Sequence, residues 1–275
     1  MKTAKLTQNI ILVSIMSLAL VFLPSCTKDE PAEDTETREQ TTNDGQAEKP
    51  AEGTEELAEE TADAEGTTEE SSGDAPAGMI PLPIELPPAV FTGTPTNIKV
   101  DNLEKPLGEP RPTFYVPEGT TNVAKGQPVT SSDSFPIIGT LDQITDGDAR
   151  ATDGSWVELG PFEQHVQVDL GAPKELYAIL LWHYHKQPRV YFDVVVQTAD
   201  DPDFVTNVKT LFNNDIDNSL GLGTGSDMHY VETSEGKLIE AKGTKARYVR
   251  CYSNGSNAND MNHYIEVAVF GKSAE

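Results

Sequence analysis

Short runs in which apolar and polar residues alternate dominate the C-terminal half of the chain. From residue 121 onward, Gly, Pro, Asn and Asp separate these runs, and no run sustains the 3.6-residue period of a helix. In residues 164–170, for example, the apolar side chains of Val166, Val168 and Leu170 fall on one face. The alternation predicts β-strands at residues 164–170, 176–183, 191–198, 246–253 and 264–270.

Strands of this length and spacing bury one core between two sheets. We therefore predict an all-β fold, a jelly-roll β-sandwich over residues 121–272. Cys251 lies on the apolar phase of the strand 246–253 and is expected to be a buried core thiol.

The N-terminus has the pattern of an export signal. Lys2 and Lys5 precede an apolar run of about 14 residues, which fits a secretory signal and is shorter than the ~18–20 residues that span a bilayer. Residues 23–26 resemble a bacterial lipobox, in which Cys26 would be lipidated and become the mature N-terminus. The alternative is an ordinary signal peptide with a chance cysteine. We predict a signal peptide at 1–25 and an exported protein anchored by lipid to the bacterial cell envelope, with the leaflet left open.

Two segments of unusual composition separate this signal from the strands. Residues 27–80 contain 18 acidic and three basic residues and almost no large apolar ones, which predicts a disordered acidic tether over 26–80. Residues 81–120 are rich in proline and are expected to form an extended lead-in, with residues 98–100 as a candidate short strand.

The net charge of −25 argues against a nucleic-acid partner, because such partners require a basic face that displaces phosphate counterions. Without the tether and the signal lysines, 15 basic and 27 acidic residues remain. The predicted sandwich is therefore moderately acidic.

Five segments of the chain, taken in order and spacing, match the landmarks of a known family: residues 122–131, 144–148, 166–171, 246–250 and 265–271. They resemble the landmarks of the discoidin domain, also called the coagulation factor V/VIII type C domain, of the galactose-binding-like family. The resemblance implies a jelly roll that binds glycans, phospholipid headgroups or proteins without catalysis and that commonly holds a structural calcium ion.

The implied calcium site uses oxygen ligands from two parts of the chain. Asp146 and Asp148 flank a turn-forming glycine, and Glu266 interrupts an apolar strand, where a carboxylate needs a partner. The alternative is a surface turn with Glu266 facing solvent. At the position where the family has a hydroxyl ligand the chain has Ala151, with Thr152 one residue later. The predicted ligand set is Gln143 (carbonyl), Asp146, Asp148, Thr152, Ile265 (carbonyl) and Glu266.

Two polar segments that follow predicted strands are rich in groups that recognise sugars, residues 183–189 and 253–263. A third polar segment lies at residues 212–218. Asn and Gly also occur in turns for backbone reasons alone, and His183 lies on the apolar phase of its strand, so a core histidine is the alternative there. The predicted ligand-binding residues are His183, Tyr184, His185, Arg189, Asn254, Asn257 and Asn259.

These features favour a non-catalytic, membrane-anchored module that binds a carbohydrate or other envelope ligand. A protein that docks a partner in an envelope complex is the alternative, with Trp182, Tyr184 and Tyr191 as an anchor patch. An enzyme is disfavoured, since no HExxH or GxSxG motif is present. The catalytic alternative is a zinc site formed by His183, His185 and His263.

Overall fold

The computed structural model describes residues 75–91 and 93–274. The predicted signal peptide, Cys26 and nearly all of the predicted tether lie outside these residues. Within them, no helix is long and apolar enough to cross a bilayer. The strands are β1 (Met79–Pro81), β2 (Tyr115–Pro117), β3 (Thr121–Asn122), β4 (Val129–Ser131), β5 (Val157–Pro161), β6 (Gln164–His183), β7 (Val195–Ala199), β8 (Lys209–Asn213), β9 (Lys237–Ser253) and β10 (Met261–Ser273), with a 3-10 helix at Leu141–Thr145.

Two long strands, β6 and β9, run through both layers of an antiparallel β-sandwich. The first part of β6 pairs with the second part of β9, and its second part pairs with β10 and with the first part of β9. The pairing of β6 with β9 is interrupted between Asp169 and Lys174, where Gly171 has a φ of +76° that glycine adopts without strain. The predicted all-β jelly-roll sandwich is thus confirmed.

The alternating apolar residues fill the space between the layers. Val166, Val168 and Leu170 from β6 meet Val267 and Val269 from β10, and all five are at most 2% exposed. Full burial of one such side chain contributes about 1.5–3 kcal/mol, so this interior dominates the stability of the sandwich. The predicted core position of Cys251 is confirmed: its thiol is fully buried, and burial raises its pKa to about 12.

The outer face of one layer is also covered. Leu180, Trp182 and Phe270 point away from the central core and pack against the segment preceding the sandwich. The covering side chains are Leu82, Ile84 and Phe114. The proline-rich lead-in therefore contributes a second apolar cluster, because the two strands β1 and β2 pair with each other and lie across this face.

The observed strands differ from the predicted ones mainly at their ends. The predicted strands 164–170 and 176–183 are one bent strand, and β9 begins at Lys237 and not at residue 246. Only 195–198 of the predicted strand 191–198 pairs as a strand, while Tyr191 forms an isolated bridge with Ser256. Residues 98–100 form no strand, and the predicted boundary at 80/81 falls inside β1.

Candidate functional site

One end of the sandwich collects most of the long connections, and we call it the loop end. The strand pairing defines this end. Gln164 pairs with Ser253, His183 pairs with Tyr264, and Val195 pairs with both Tyr252 and Asn213. The chain segments that continue beyond these residues therefore leave the strands at the same end of the sandwich. The loop end comprises residues 132–140, 161–163, 184–194, 214–236 and 254–260.

The two segments predicted to carry the ligand site are joined there by backbone contacts. Asn257 N donates to Val190 O at 2.9 Å, and Val190 N donates to Asn257 Oδ1 at the same distance. Asn254 N donates to Phe192 O at 2.9 Å, and Phe192 N donates to Gly255 O at 3.1 Å. Residues 190–192 and 254–257 thus form one ladder-like unit.

Three of the predicted ligand residues are not at the surface. His183 and His185 are fully buried and Tyr184 is 9% exposed. His183 Nδ1 lies 2.7 Å from Glu232 Oε1, and its ring stacks on Tyr191 with centroids 4.3 Å apart. His185 Nε2 donates to Ala149 O at 2.9 Å. These three side chains are therefore not exposed to a surface ligand: Glu232 contacts the buried His183, and the carbonyl of Ala149 contacts the buried His185.

Arg189 is a half-buried cation of the loop end. Its guanidinium lies 4.3 Å from the ring centroid of Tyr184, and Nη1 lies 3.4 Å from Nδ1 of His263. Tyr191 Oη donates to the same Nδ1 at 3.0 Å, and His263 Nε2 donates to Glu158 at 3.0 Å. One neutral tautomer of His263 satisfies every contact, and burial together with Arg189 lowers its pKa to about 4.

The three predicted asparagines line the rim of the loop end in different ways. Asn257 and Asn259 are exposed. Asn259 Oδ1 accepts from Met261 N at 3.2 Å, so its amide closes the turn before β10. Asn254 is half-buried and donates through Nδ2 to Asp193 Oδ2 at 2.9 Å. Together with Arg189, these residues form a polar rim that faces solvent in part.

Exposed aromatic rings at the loop end are absent from the sequence prediction. Phe162 is 77% exposed with a φ of +68°, and Phe135 is 86% exposed. The backbone of Phe162 is held by Asn262 Nδ2, which donates to its carbonyl at 2.8 Å. A positive φ is uncommon for a bulky residue. The sequence did contain a signal for this exposed ring, because Phe162 is a large apolar residue next to Pro161, in a turn between two runs of alternating residues.

The predicted calcium ligands are brought together in part. Glu266 is 2% exposed, and its Oε2 accepts from Gly147 N at 3.2 Å. Its Oε1 has no hydrogen-bond partner among the described residues. Burial, opposed by the Gly147 hydrogen bond and reinforced by Asp146, raises its pKa to about 8. The alternative, a solvent-facing Glu266, is therefore wrong.

The other predicted calcium ligands are placed less favourably for holding an ion than Glu266 is. A register shift of β10 falls at Ile265, between Tyr264 and Glu266, and the 3-10 helix carries Gln143. Asp148, however, forms a bidentate pair with Arg150 at 2.7 and 2.8 Å. Ala151 packs beside Ile265 in the outer cluster, whereas Thr152 is exposed. The substitute role predicted for Thr152 is therefore not supported by its position.

Two alternatives predicted from the sequence, an aromatic anchor patch and a zinc site, are also corrected. Trp182 is fully buried and Tyr191 is 1% exposed, so with Tyr184 they form no anchor patch for a protein partner. The three histidines of the zinc alternative are each bonded to different groups: Glu232, Ala149 O and Glu158. His183 and His185 are two residues apart, a spacing that would place both on one face of a strand. His185, however, lies beyond the end of β6, and its ring contacts the carbonyl of residue 149.

No protein-family model matches the chain, and a search of curated proteins finds no match. Similar solved structures include a family 89 glycoside hydrolase from Clostridium perfringens, 22% identical with a TM-score of 0.40, covering 55% of this chain and 15% of that one.

Two smaller proteins are also similar. The CBM32 of AlyQ, in complex with 4,5-unsaturated mannuronic acid, is 23% identical with a TM-score of 0.38, covering 52% of this chain and 93% of that one. A chitosan-binding module from the chitosanase/glucanase of Paenibacillus sp. IK-5 is 18% identical with a TM-score of 0.40, covering 55% and 98%. At these identities and TM-scores the similarity is weak, and the function has to be sought in the residues of this chain.

Proposed function

We propose that this chain is a non-catalytic, discoidin-like module that is anchored to the bacterial envelope through Cys26 and binds a carbohydrate at its loop end. The observation that carries the proposal is the convergence there of a half-buried arginine, exposed amides and an outward-held aromatic ring. Arg189 and Asn257 supply hydrogen-bonding groups for hydroxyls, and Phe162 supplies an apolar ring face for a pyranose.

The expected ligand is a neutral or cationic glycan. The chain outside the tether and signal keeps an excess of acidic over basic residues, which disfavours anionic polysaccharides except where Arg189 acts locally. Single sugar sites of this kind bind with a Kd on the order of 0.1–1 mM, or about −4 to −5.5 kcal/mol. Many tethered copies on one membrane compensate through multivalency.

A glycan array probed with a multivalent display of the protein tests this proposal. Phe162→Ala and Arg189→Ala are expected to lose the signal, with unchanged circular dichroism as the folding check. Val205→Ala is the matched control, since Val205 is 79% exposed but lies between β7 and β8, at the opposite end of the sandwich. Equal loss in all three variants, or no loss in the first two, contradicts the site.

The second candidate is a protein-docking role, and the exposed apolar groups favour it specifically. Ile137 is 56% exposed and follows Phe135 in the same loop, and Ile137 N donates to Glu158 O at 2.7 Å. Such groups suit a protein interface as well as a sugar ring. A silent glycan array together with specific capture of one envelope protein, abolished by Phe135→Ala and Ile137→Ala, selects this role.

We also propose that calcium stabilises the module through Asp146 and Glu266. The support is the buried Glu266 Oε1, a carboxylate oxygen without a partner that lies beside further acidic groups. Gln143, Ile265 and Asp148 would complete the oxygen set once Asp148 leaves Arg150. The ion would tie the 146–148 turn to β10.

Chelation is expected to lower the melting temperature, because an ion that binds only the folded state adds RT ln(1 + [L]/Kd) to its stability. Calorimetry with and without EDTA measures the shift, and Asp146→Asn should abolish it. Asp142→Asn is the control, as Asp142 is an exposed carboxylate in the neighbouring 3-10 helix. An EDTA-insensitive melting curve for the unchanged protein rules the site out.

A further inference from the structure

One fully buried side chain, that of Asn262 near the start of β10, holds two connections of the loop end together. Its Oδ1 accepts from Ser253 Oγ at 2.8 Å and from Gly255 N at 2.9 Å. Its Nδ2 donates to the carbonyl oxygens of Gly160 at 2.9 Å and of Phe162 at 2.8 Å. The amide group thus uses both lone pairs of its oxygen and both of its N–H groups.

The chemistry of these four contacts requires an amide at position 262. A carboxylate of the same size accepts hydrogen bonds but donates none, and an aliphatic side chain does neither. A reversed amide would set its oxygen against two carbonyl oxygens and its nitrogen against two donors, so the network itself fixes the orientation of the group.

The two connections that meet at Asn262 are separate in the chain. Residues 161–163 join β5 to β6, and residues 254–260 join β9 to β10. Phe162 has a φ of +68°, an uncommon value for a bulky residue that persists only where surrounding contacts hold the backbone. The hydrogen bond from Asn262 to the Phe162 carbonyl is such a contact.

We infer that Asn262 is a positioning residue, which holds Phe162 and the 254–257 rim in fixed relative positions before a ligand arrives. The inference rests on the proposed function, since these two connections carry the aromatic ring and the amides of the proposed carbohydrate site. Arg189 is held separately, by contacts with Tyr184 and His263. A site that is ordered in advance loses less conformational freedom when it binds.

NMR order parameters of backbone amides, measured on the whole chain without glycan, test this role. Asn262→Asp keeps the two accepting contacts and removes the two donating ones. The order parameter of Phe162 is expected to fall from about 0.85 to below about 0.6, while that of Gly255 stays near its original value. If the buried charge prevents folding, Asn262→Ser replaces it. The serine hydroxyl is too short to reach both connections, so both residues should loosen.

Asn214→Asp is the matched control. Asn214 is also fully buried at the loop end, and its Oδ1 accepts from Val194 N at 2.6 Å. Its Nδ2 has no partner among the described residues, so this variant buries a carboxylate without losing a donated hydrogen bond. The order parameter of Phe162 should be unchanged in it.

Acidification gives a readout that general destabilisation does not. As the pH falls, the carboxyl introduced by Asn262→Asp gains a proton and can donate to one of the two carbonyl oxygens. The order parameter of Phe162 should therefore rise again in this variant, whereas Asn214→Asp should show no such recovery.

Binding of a glycan identified on the array links the position to function. Its Kd is expected to rise at least tenfold in Asn262→Asp and less than twofold in Asn214→Asp. An unchanged Phe162 order parameter in the Asn262 variants, or a loosened Phe162 with full affinity, overturns the inference. A silent array contradicts the proposed function alone, and the order parameters then decide whether Asn262 holds the two connections.

Discussion

At the scale of single residues, the charge state of a side chain follows from its burial and from the nearest charged side chain. His165 lies on the solvent side of β6, where its ring contacts Tyr252 with centroids 5.2 Å apart. Burial and the positive charge of Arg250 lower its pKa to about 4. The imidazole of the folded protein is therefore neutral near pH 7 and takes up its proton only as the pH approaches 4.

The pH dependence of stability follows from this pKa. An unfolded chain binds a proton at His165 near pH 6.5, while the folded protein does so only near pH 4. The contribution of His165 to stability is thus present above pH 6.5 and is lost as the pH falls from 6.5 to 4, by up to about 1.4 kcal/mol per pH unit.

Arg250→Gln is expected to raise the pKa of His165 toward 6.5, because it removes a neighbouring positive charge. Arg247→Gln is the control, since Arg247 pairs with Asp169 at 2.7 Å. Histidine NMR titration measures both variants. If His165 of the unchanged protein titrates near 6.5, or if both variants shift it equally, the assignment to Arg250 fails.

At the scale of elements, the outer apolar cluster depends on one close approach. Trp182 Nε1 donates to Ser234 O at 3.0 Å, so the tryptophan lies under the 233–236 turn. Gly236 in that turn has a φ of +65°, and a Cβ there would lie 2.5 Å from Trp182 Cε2. Glycine is needed both for the left-handed backbone and for the space.

Gly236→Ala is expected to destabilise the protein by about 1–3 kcal/mol more than Gly221→Ala does. Gly221 has a φ of +69° but nothing within 4 Å of the added Cβ, so it carries the backbone strain alone. Urea denaturation followed by tryptophan fluorescence measures the difference. Equal losses in the two variants would show that the contact with Trp182 relaxes without cost.

At the scale of the whole molecule, the proposed anchor and tether would determine how far from the membrane the sandwich lies. A flexible chain of the predicted tether's length spans ~40–50 Å, and its excess of carboxylates favours still greater extension. This distance would lift the loop end clear of the lipid headgroups. It would also let neighbouring copies bind one glycan together.

Cys26→Ser is expected to release the protein from the membrane, since the apolar run before it is too short to span a bilayer. Detergent-phase partitioning of the cell fraction measures the release. Cys251→Ser is the control and should stay in the detergent phase, because that thiol is buried in the core. A Cys26→Ser protein still wholly in the detergent phase would mean that the signal remains as a membrane anchor.

The local pattern of the sequence was enough to predict the sandwich and its central core. Alternation is a property of neighbouring residues, so the strand period alone places Val166 and Val168 on the core face of β6 and Cys251 on the apolar face of its own strand. The need for a partner at Glu266 followed in the same way, from a carboxylate in an apolar strand.

Only the tertiary structure decided which polar groups reach solvent and which acidic groups meet. His183 and His185 look like loop-end ligands in the sequence, but residues far along the chain, Glu232 and Ala149, bury and bond them. Asp193 and Asp215 come together because β7 and β8 pair and bring their ends to one place. Such contacts join residues distant in sequence, and no local period encodes them.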